Sequence, residues 1–162
     1  MELTNNLERQ GHRMLQLGVA MMAIVAVEGF AIPALALPRT GLSVHTLGTL
    51  QALLFLALGL VWPRLALGRT ASLVAWWTYV YSSFATWAAY MLAAVWGAGG
   101  TTMPLATGGA RGSAAQEMAI RLVIFSSAPT FFVAIAIIMR GLRLPSAAPL
   151  VAHHEPMRGT AR

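Results

Sequence analysis

Glu28, His45, Gln51, Ser82, Tyr90, Glu117 and Arg121 stand inside long apolar runs, and they are the residues best equipped for chemistry. A carboxylate can take a proton. An imidazole can ligate iron or move a proton, and an amide, a hydroxyl or a phenol can hold a substrate oxygen. Ionisable groups at such depth are costly. They usually face a protein interior, pair with one another and mark a functional site.

Phase along each run sorts these residues further. At about 100° per residue, His45, Ala52 and Gly59 share one helix face, with Gly48 and Phe55 a little further round and Gln51 at the edge. Small residues such as Gly48 and Ala52 let another backbone or a flat ligand come close. Tyr79, Ser83, Thr86 and Tyr90 form a polar stripe with Ser82 at its rim. Ser83 and Thr86 have a plain explanation in hydrogen bonding between helices. Glu117 and Arg121, four apart, suit an ion pair within one helix.

The elements that must position these groups are four spans, at 14–37, 42–62, 71–96 and 116–142. Each is long enough for a hydrocarbon core, which takes about 20 helical residues. The expected fold class is all-α: an oligomeric four-helix transmembrane bundle over residues 1–143, with a disordered cytoplasmic tail at 144–162. Pro38-Arg39-Thr40-Gly41 is expected to turn the first span into the second. Trp62-Pro63-Arg64 reads as a membrane exit, and Trp76, Trp77 and Trp96 as interfacial anchors. Segment 97–115 is Gly-rich and long for a bundle connection, so it reads as a flexible loop or as the wall of a pocket. With the N-terminus inside and a rise of about 1.5 Å per residue, His45, Tyr90, Glu28, Gln51 and Arg121 all fall in the outer half. A single pocket is expected there.

Apolar residues make up 57% of the chain and charged residues 10%, against about a quarter charged in a soluble domain. All 11 basic residues are arginine. Arg9, Arg13, Arg64, Arg69, Arg140, Arg143, Arg158 and Arg162 fall on one side, and Arg39 and Arg111 on the other. This asymmetry places both termini in the cytoplasm. The net charge of +6 then reads as topology and contact with anionic lipid, not nucleic-acid binding. Residues 1–13 lack the apolar core of a cleavable signal. Without cysteine, disulfides, thiolate-ligated haem and iron–sulfur clusters are excluded. His45 is the one histidine within a span, so the chain alone cannot supply the two axial histidines of an electron-transfer cytochrome.

The segments RQGHRMLQLGVAM, PRTGLSVHTLGTLQALLFLALGLVWPRLALG and WAAYMLAAVWGAGGTTMPLA, with GARGSAAQE before the fourth span, resemble the hydroxylaminobenzene mutase family over nearly all of residues 9–143. That family consists of small membrane isomerases that move the hydroxyl of an arylhydroxylamine from nitrogen to the ring. More distantly, the chain is similar to the styrene oxide isomerase family, four-span trimers holding ferric haem b at subunit contacts. The distant family's pattern of His, Asn six residues on and Pro eighteen residues after the His is matched by His45, Gln51 and Pro63, with Gln in place of Asn. Its tyrosine falls on Tyr90 and its aspartate on Ser82, a departure that argues against epoxide chemistry.

The resemblance therefore implies ferric haem b ligated by His45, with Gly48 and Ala52 beside it. Tyr90, Gln51 and Ser82 would act on the substrate, and Glu28 would take up part of the acid role. It further implies a hydrophobic aromatic substrate, a homotrimer, and residence in the bacterial inner membrane. From the residues alone, a single His near a helix start is more often a hydrogen-bonding group than a ligand. Rival readings remain: an epoxide-to-aldehyde isomerase, a proton-coupled exporter of aromatic cations using Glu28, or a purely structural subunit.

Overall fold

The computed structural model describes residues 2–143, with side chains from residue 5 onward. The tail 144–162 lies outside the described residues. The described residues are helical, with no strand. Four long helices, α1 (Glu2–Ala31), α2 (Pro38–Val61), α3 (Arg69–Trp96) and α5 (Ala114–Gly141), are joined by short 3-10 turns at Ile32–Ala34 and Trp62–Arg64 and by a loop containing the one-turn helix α4 (Pro104–Thr107).

Three segments, Asn5–Ala34, Pro38–Arg64 and Ala114–Gly141, are long and apolar enough to cross a membrane. The protein is a membrane protein. Helix α3 is equally long, but its Ser, Thr, Tyr and Trp content lowers its hydropathy below theirs.

Helix α1 begins about three turns before the expected span, so residues 2–13 are helical. Its buried positions, including Leu7, Gly11, Met14, Gly18, Met21, Val25 and Glu28, recur at a spacing close to 3.5. So narrow a seam serves one neighbour, and α1 packs on α2 while barely meeting α3. Gly11 meets Gly59, Gly18 meets Ala52 and Leu56, and Gly29 meets His45, so the two helices run antiparallel. A Cβ on Gly11 would stand 2.7 Å from the Gly59 carbonyl. Glycine there sets how closely the helices approach, as small residues do in lipid.

Helices α3 and α5 form the other close pair. Thr86 Oγ1 donates to Ser127 Oγ at 3.0 Å across it, which is the interhelical role expected of Thr86. Tyr81 and Ser126 hydroxyls meet at 2.6 Å.

Some expectations need correction. Pro38–Gly41 is not the hairpin turn: Pro38 opens α2, where its missing N–H costs nothing, and the chain reverses at 32–37. Trp62 and Trp76 are core residues, not interfacial anchors. Trp62 is fully buried and gives its indole N–H to Gln10 Oε1 at 2.9 Å, while Trp76 gives its own to the Gln10 carbonyl at 3.3 Å. A buried indole needs such an acceptor. Trp77 and Trp96 are exposed.

Candidate active site

The polar groups divide between two sides of α2. On the α1 side, the Glu28 carboxylate lies 3.4 Å from His45 Nδ1. The Glu28 side chain is 4% exposed and the His45 side chain 36%. Both Glu28 oxygens and His45 Nδ1 are buried, with no well-formed hydrogen bond among the described residues. A separation of 3.4 Å is longer than the roughly 2.8 Å of a charge-assisted hydrogen bond. Gly29 makes the approach possible: a Cβ there would stand 3.0 Å from His45 Cε1 and 3.2 Å from Nδ1. With Nδ1 buried against α1, the exposed part of the ring lies away from that nitrogen.

On the other side, α2, α3 and α5 enclose an apolar groove of about 500 Å³. Gln51 lines it from α2; Tyr79, Ser82, Ser83, Thr86 and Tyr90 line it from α3; Ser127, Phe131 and Phe132 line it from α5. Such a mix of apolar walls and few polar groups is the usual makeup of a small-molecule site. Gln51 Oε1 and the Tyr79 hydroxyl are buried without a partner among the described residues. A bound polar group would satisfy them. The Tyr79 ring is fixed edge-on against Phe55, with centroids 5.1 Å apart. Ser82 spends its proton on the Tyr79 carbonyl at 2.9 Å.

Tyr90 also lines a second, shallower cavity of about 510 Å³, sharing Leu47 and Leu50 with the groove. Ala106 of α4 walls this cavity, and Thr40 Oγ1 holds α4 through the Ala106 carbonyl at 2.9 Å. Within the 97–115 segment, Ala106 thus forms part of a pocket wall. Glu117 anchors the segment, accepting backbone N–H groups from Gly99, Thr101 and Gly112 and the Thr101 hydroxyl.

The single pocket expected from depth is therefore two sites within one protomer. Gln51, Ser82 and Tyr90 come together. Glu28 and His45 come together elsewhere, so within one protomer Glu28 does not line the groove. Gly48 and Ala52 are closed over: a Cβ on Gly48 would strike Val25 and Trp87, and Ala52 is buried beside Met21 and Val25. Their small size admits α1 and α3, not a flat ligand. The Glu117–Arg121 ion pair is absent, because the Glu117 carboxylate is taken by the loop and the Arg121 side chain is exposed. Two features escaped the sequence reading, Gly29 under the His45 ring and the Glu117 clamp. Matching heights along the α1–α2 hairpin would have found the first.

The family described as styrene oxide isomerase matches residues 10–143. The chain belongs to the styrene oxide isomerase family. It is therefore an isomerase. Within that kinship it is 45% identical over 131 residues to hydroxylaminobenzene mutase HabB of Ectopseudomonas oleovorans, covering 81% of this chain and 80% of the relative. It is 32% identical over 125 residues to hydroxylaminobenzene mutase HabA of the same organism, covering 77% and 93%. No solved structure matches it significantly.

Proposed function

We propose that this isomerase is a hydroxylaminobenzene mutase: it rearranges an arylhydroxylamine into an aminophenol. The N–O bond breaks, the hydroxyl oxygen joins the ring, and the displaced ring proton ends on nitrogen, so no oxidant or reductant is consumed. One observation carries the reading. Gln51 and Tyr90, from two different helices, open on one apolar groove in a chain 45% identical to a protein named as such a mutase.

The groove takes the aromatic ring between apolar walls. The Tyr90 phenol donates a hydrogen bond to the departing hydroxyl, and the Gln51 amide orients it. Displacing water from the groove strengthens both contacts and limits capture of a cationic intermediate by bulk water. Tyr90 also lines the shallower cavity, which gives a substrate dissolved in lipid a way in.

Ferric haem b on His45 belongs to the same proposal. The residues present suit it. Glu28 faces Nδ1, which leaves Nε2 as the nitrogen free to ligate, and the ring is partly exposed at the protomer surface. Such a cofactor would supply a Lewis acid for the N–O bond. The partly exposed position of His45 leaves room for a haem held at a contact between protomers, and the resemblance to the styrene oxide isomerase family favours a homotrimer. Among the described residues, six arginines at one end (Arg9, Arg13, Arg64, Arg69, Arg140 and Arg143) support a four-span protein of the bacterial inner membrane with both termini cytoplasmic.

The test is an incubation of membranes carrying the protein with phenylhydroxylamine in isotopically labelled water. Aminophenol with unlabelled oxygen supports an intramolecular mutase. Labelled product, or conversion of styrene oxide but not of the hydroxylamine, overturns the reading.

A further inference from the structure

We propose that Glu28 is a positioning residue for His45, fixing the imidazole through Nδ1 and lending it negative charge, so that iron bound at the other nitrogen is held in the ferric state. The inference rests on haem ligation by His45.

Burial of a carboxylate without hydrogen bonds or a counter-charge costs several kcal/mol, and Glu28 is buried with neither oxygen hydrogen-bonded. His45 is the one ionisable side chain in contact with it among the described residues. The contact is prepared on both helices. Glu28 ends the buried seam of α1, and Gly29 beside it leaves room for the ring edge that carries Nδ1. Adding a side chain at residue 29 would crowd that edge. An imidazole held in this way has one tautomer available for ligation, with the proton on Nδ1 facing the carboxylate and the lone pair on Nε2.

Histidines that ligate metals commonly donate their other N–H to a carboxylate, which orients the ring and raises its basicity. In a haem protein this is one of the levers that set the reduction potential. A more basic imidazole favours ferric over ferrous iron. That suits a redox-neutral rearrangement, for which ferric iron is the stronger Lewis acid. The contact stands at 3.4 Å, and a small tilt of the ring would close it to a charge-assisted hydrogen bond.

The experiment compares the purified full chain with Glu28→Gln, Glu28→Asp and His45→Ala, reading haem per chain, the ferric absorption spectrum and the reduction midpoint. Glu28→Gln keeps the shape of the side chain and removes its charge. Its haem affinity should fall about 10- to 100-fold. The haem that remains should show a shifted spectrum and a higher midpoint, by about 59 mV for each tenfold change in ferric preference. Glu28→Asp keeps the charge but moves it back by one methylene, and should lie between. A purely structural Glu28 would lower haem content or stability while leaving the midpoint of bound haem unchanged.

A wild-type midpoint and spectrum in Glu28→Gln, with the band lost in His45→Ala, overturns the inference and leaves haem ligation standing. Should Glu28→Gln fail to fold, an unchanged midpoint in Glu28→Asp overturns it equally. No haem band in the wild type, or a band that survives in His45→Ala, brings down both the ligand assignment and the inference.

Discussion

Gly99 donates its backbone N–H to the Glu117 carboxylate at 2.7 Å, and Gly112 does so from the far end of the same loop at 3.1 Å. Thr101 adds its N–H and its hydroxyl. One side chain in the first turn of α5 therefore gathers a loop that would otherwise leave several backbone donors unpaired. Gly99 serves because its φ of 99° is one that side chains avoid.

Replacing Glu117 by Gln keeps the size but turns one acceptor into a donor that faces other donors. The loop should loosen, the melting temperature should fall by several degrees, and limited proteolysis should begin within 97–112. Because Ala106 walls the cavity beside Tyr90, substrate KM should rise with the loosening. An unchanged cleavage pattern in Glu117→Gln would show that the loop is held by something else.

The α1–α2 seam makes a second prediction. A Cβ on Gly59 would lie 2.9 Å from the Gly11 carbonyl and from the Leu15 side chain, and backbone cannot give way as a flexible side chain can. Gly59→Val should cost about 1–3 kcal/mol through forced separation of the helices. The measurement is a denaturant titration of the detergent-solubilised protein followed by tryptophan fluorescence. A shift in midpoint should be accompanied by weaker Glu28–His45 effects on the haem spectrum, since the same helix pair carries that contact.

These two cases also mark what was legible in the sequence. Apolar runs located α2, α3 and α5 to within two to four residues, because hydrophobic length is what a bilayer selects. Period put Ser82 and Tyr90 on one stripe of α3, and both line the groove, but it grouped Gln51 with His45. The sequence was silent where a contact joins distant positions. Nothing local says that Glu117 serves Gly99 and not Arg121, or that Trp62 is held by Gln10. Depth counting put Glu28 at the level of Gln51, but depth is one coordinate. The second coordinate, which side of α2 each residue faces, separates His45 from Gln51 by about 120°.

Ser82 lines the groove, yet its proton already goes to the Tyr79 carbonyl at 2.9 Å. Ser82→Ala should therefore lower turnover by less than about tenfold, under roughly 1.4 kcal/mol of barrier. Steady-state kinetics on phenylhydroxylamine decides it. A far larger loss would assign the Ser82 oxygen a direct role as acceptor for a substrate proton.

Tyr90 is the contrasting case. Its phenol makes no hydrogen bond within the described protein, and its ring joins the groove to the shallower cavity. Nothing structural consumes the hydroxyl, so its removal should not disturb the fold. Tyr90→Phe keeps the ring that fills this junction and deletes the donor alone. If the phenol stabilises the departing oxygen only as the N–O bond breaks, kcat should drop by roughly 100-fold while KM stays near the wild-type value. If it merely holds the ground-state substrate, KM should rise and kcat should persist. Tyr90→Phe with wild-type values of both would place the donor elsewhere on the groove, with the partnerless Tyr79 hydroxyl as the next residue to vary.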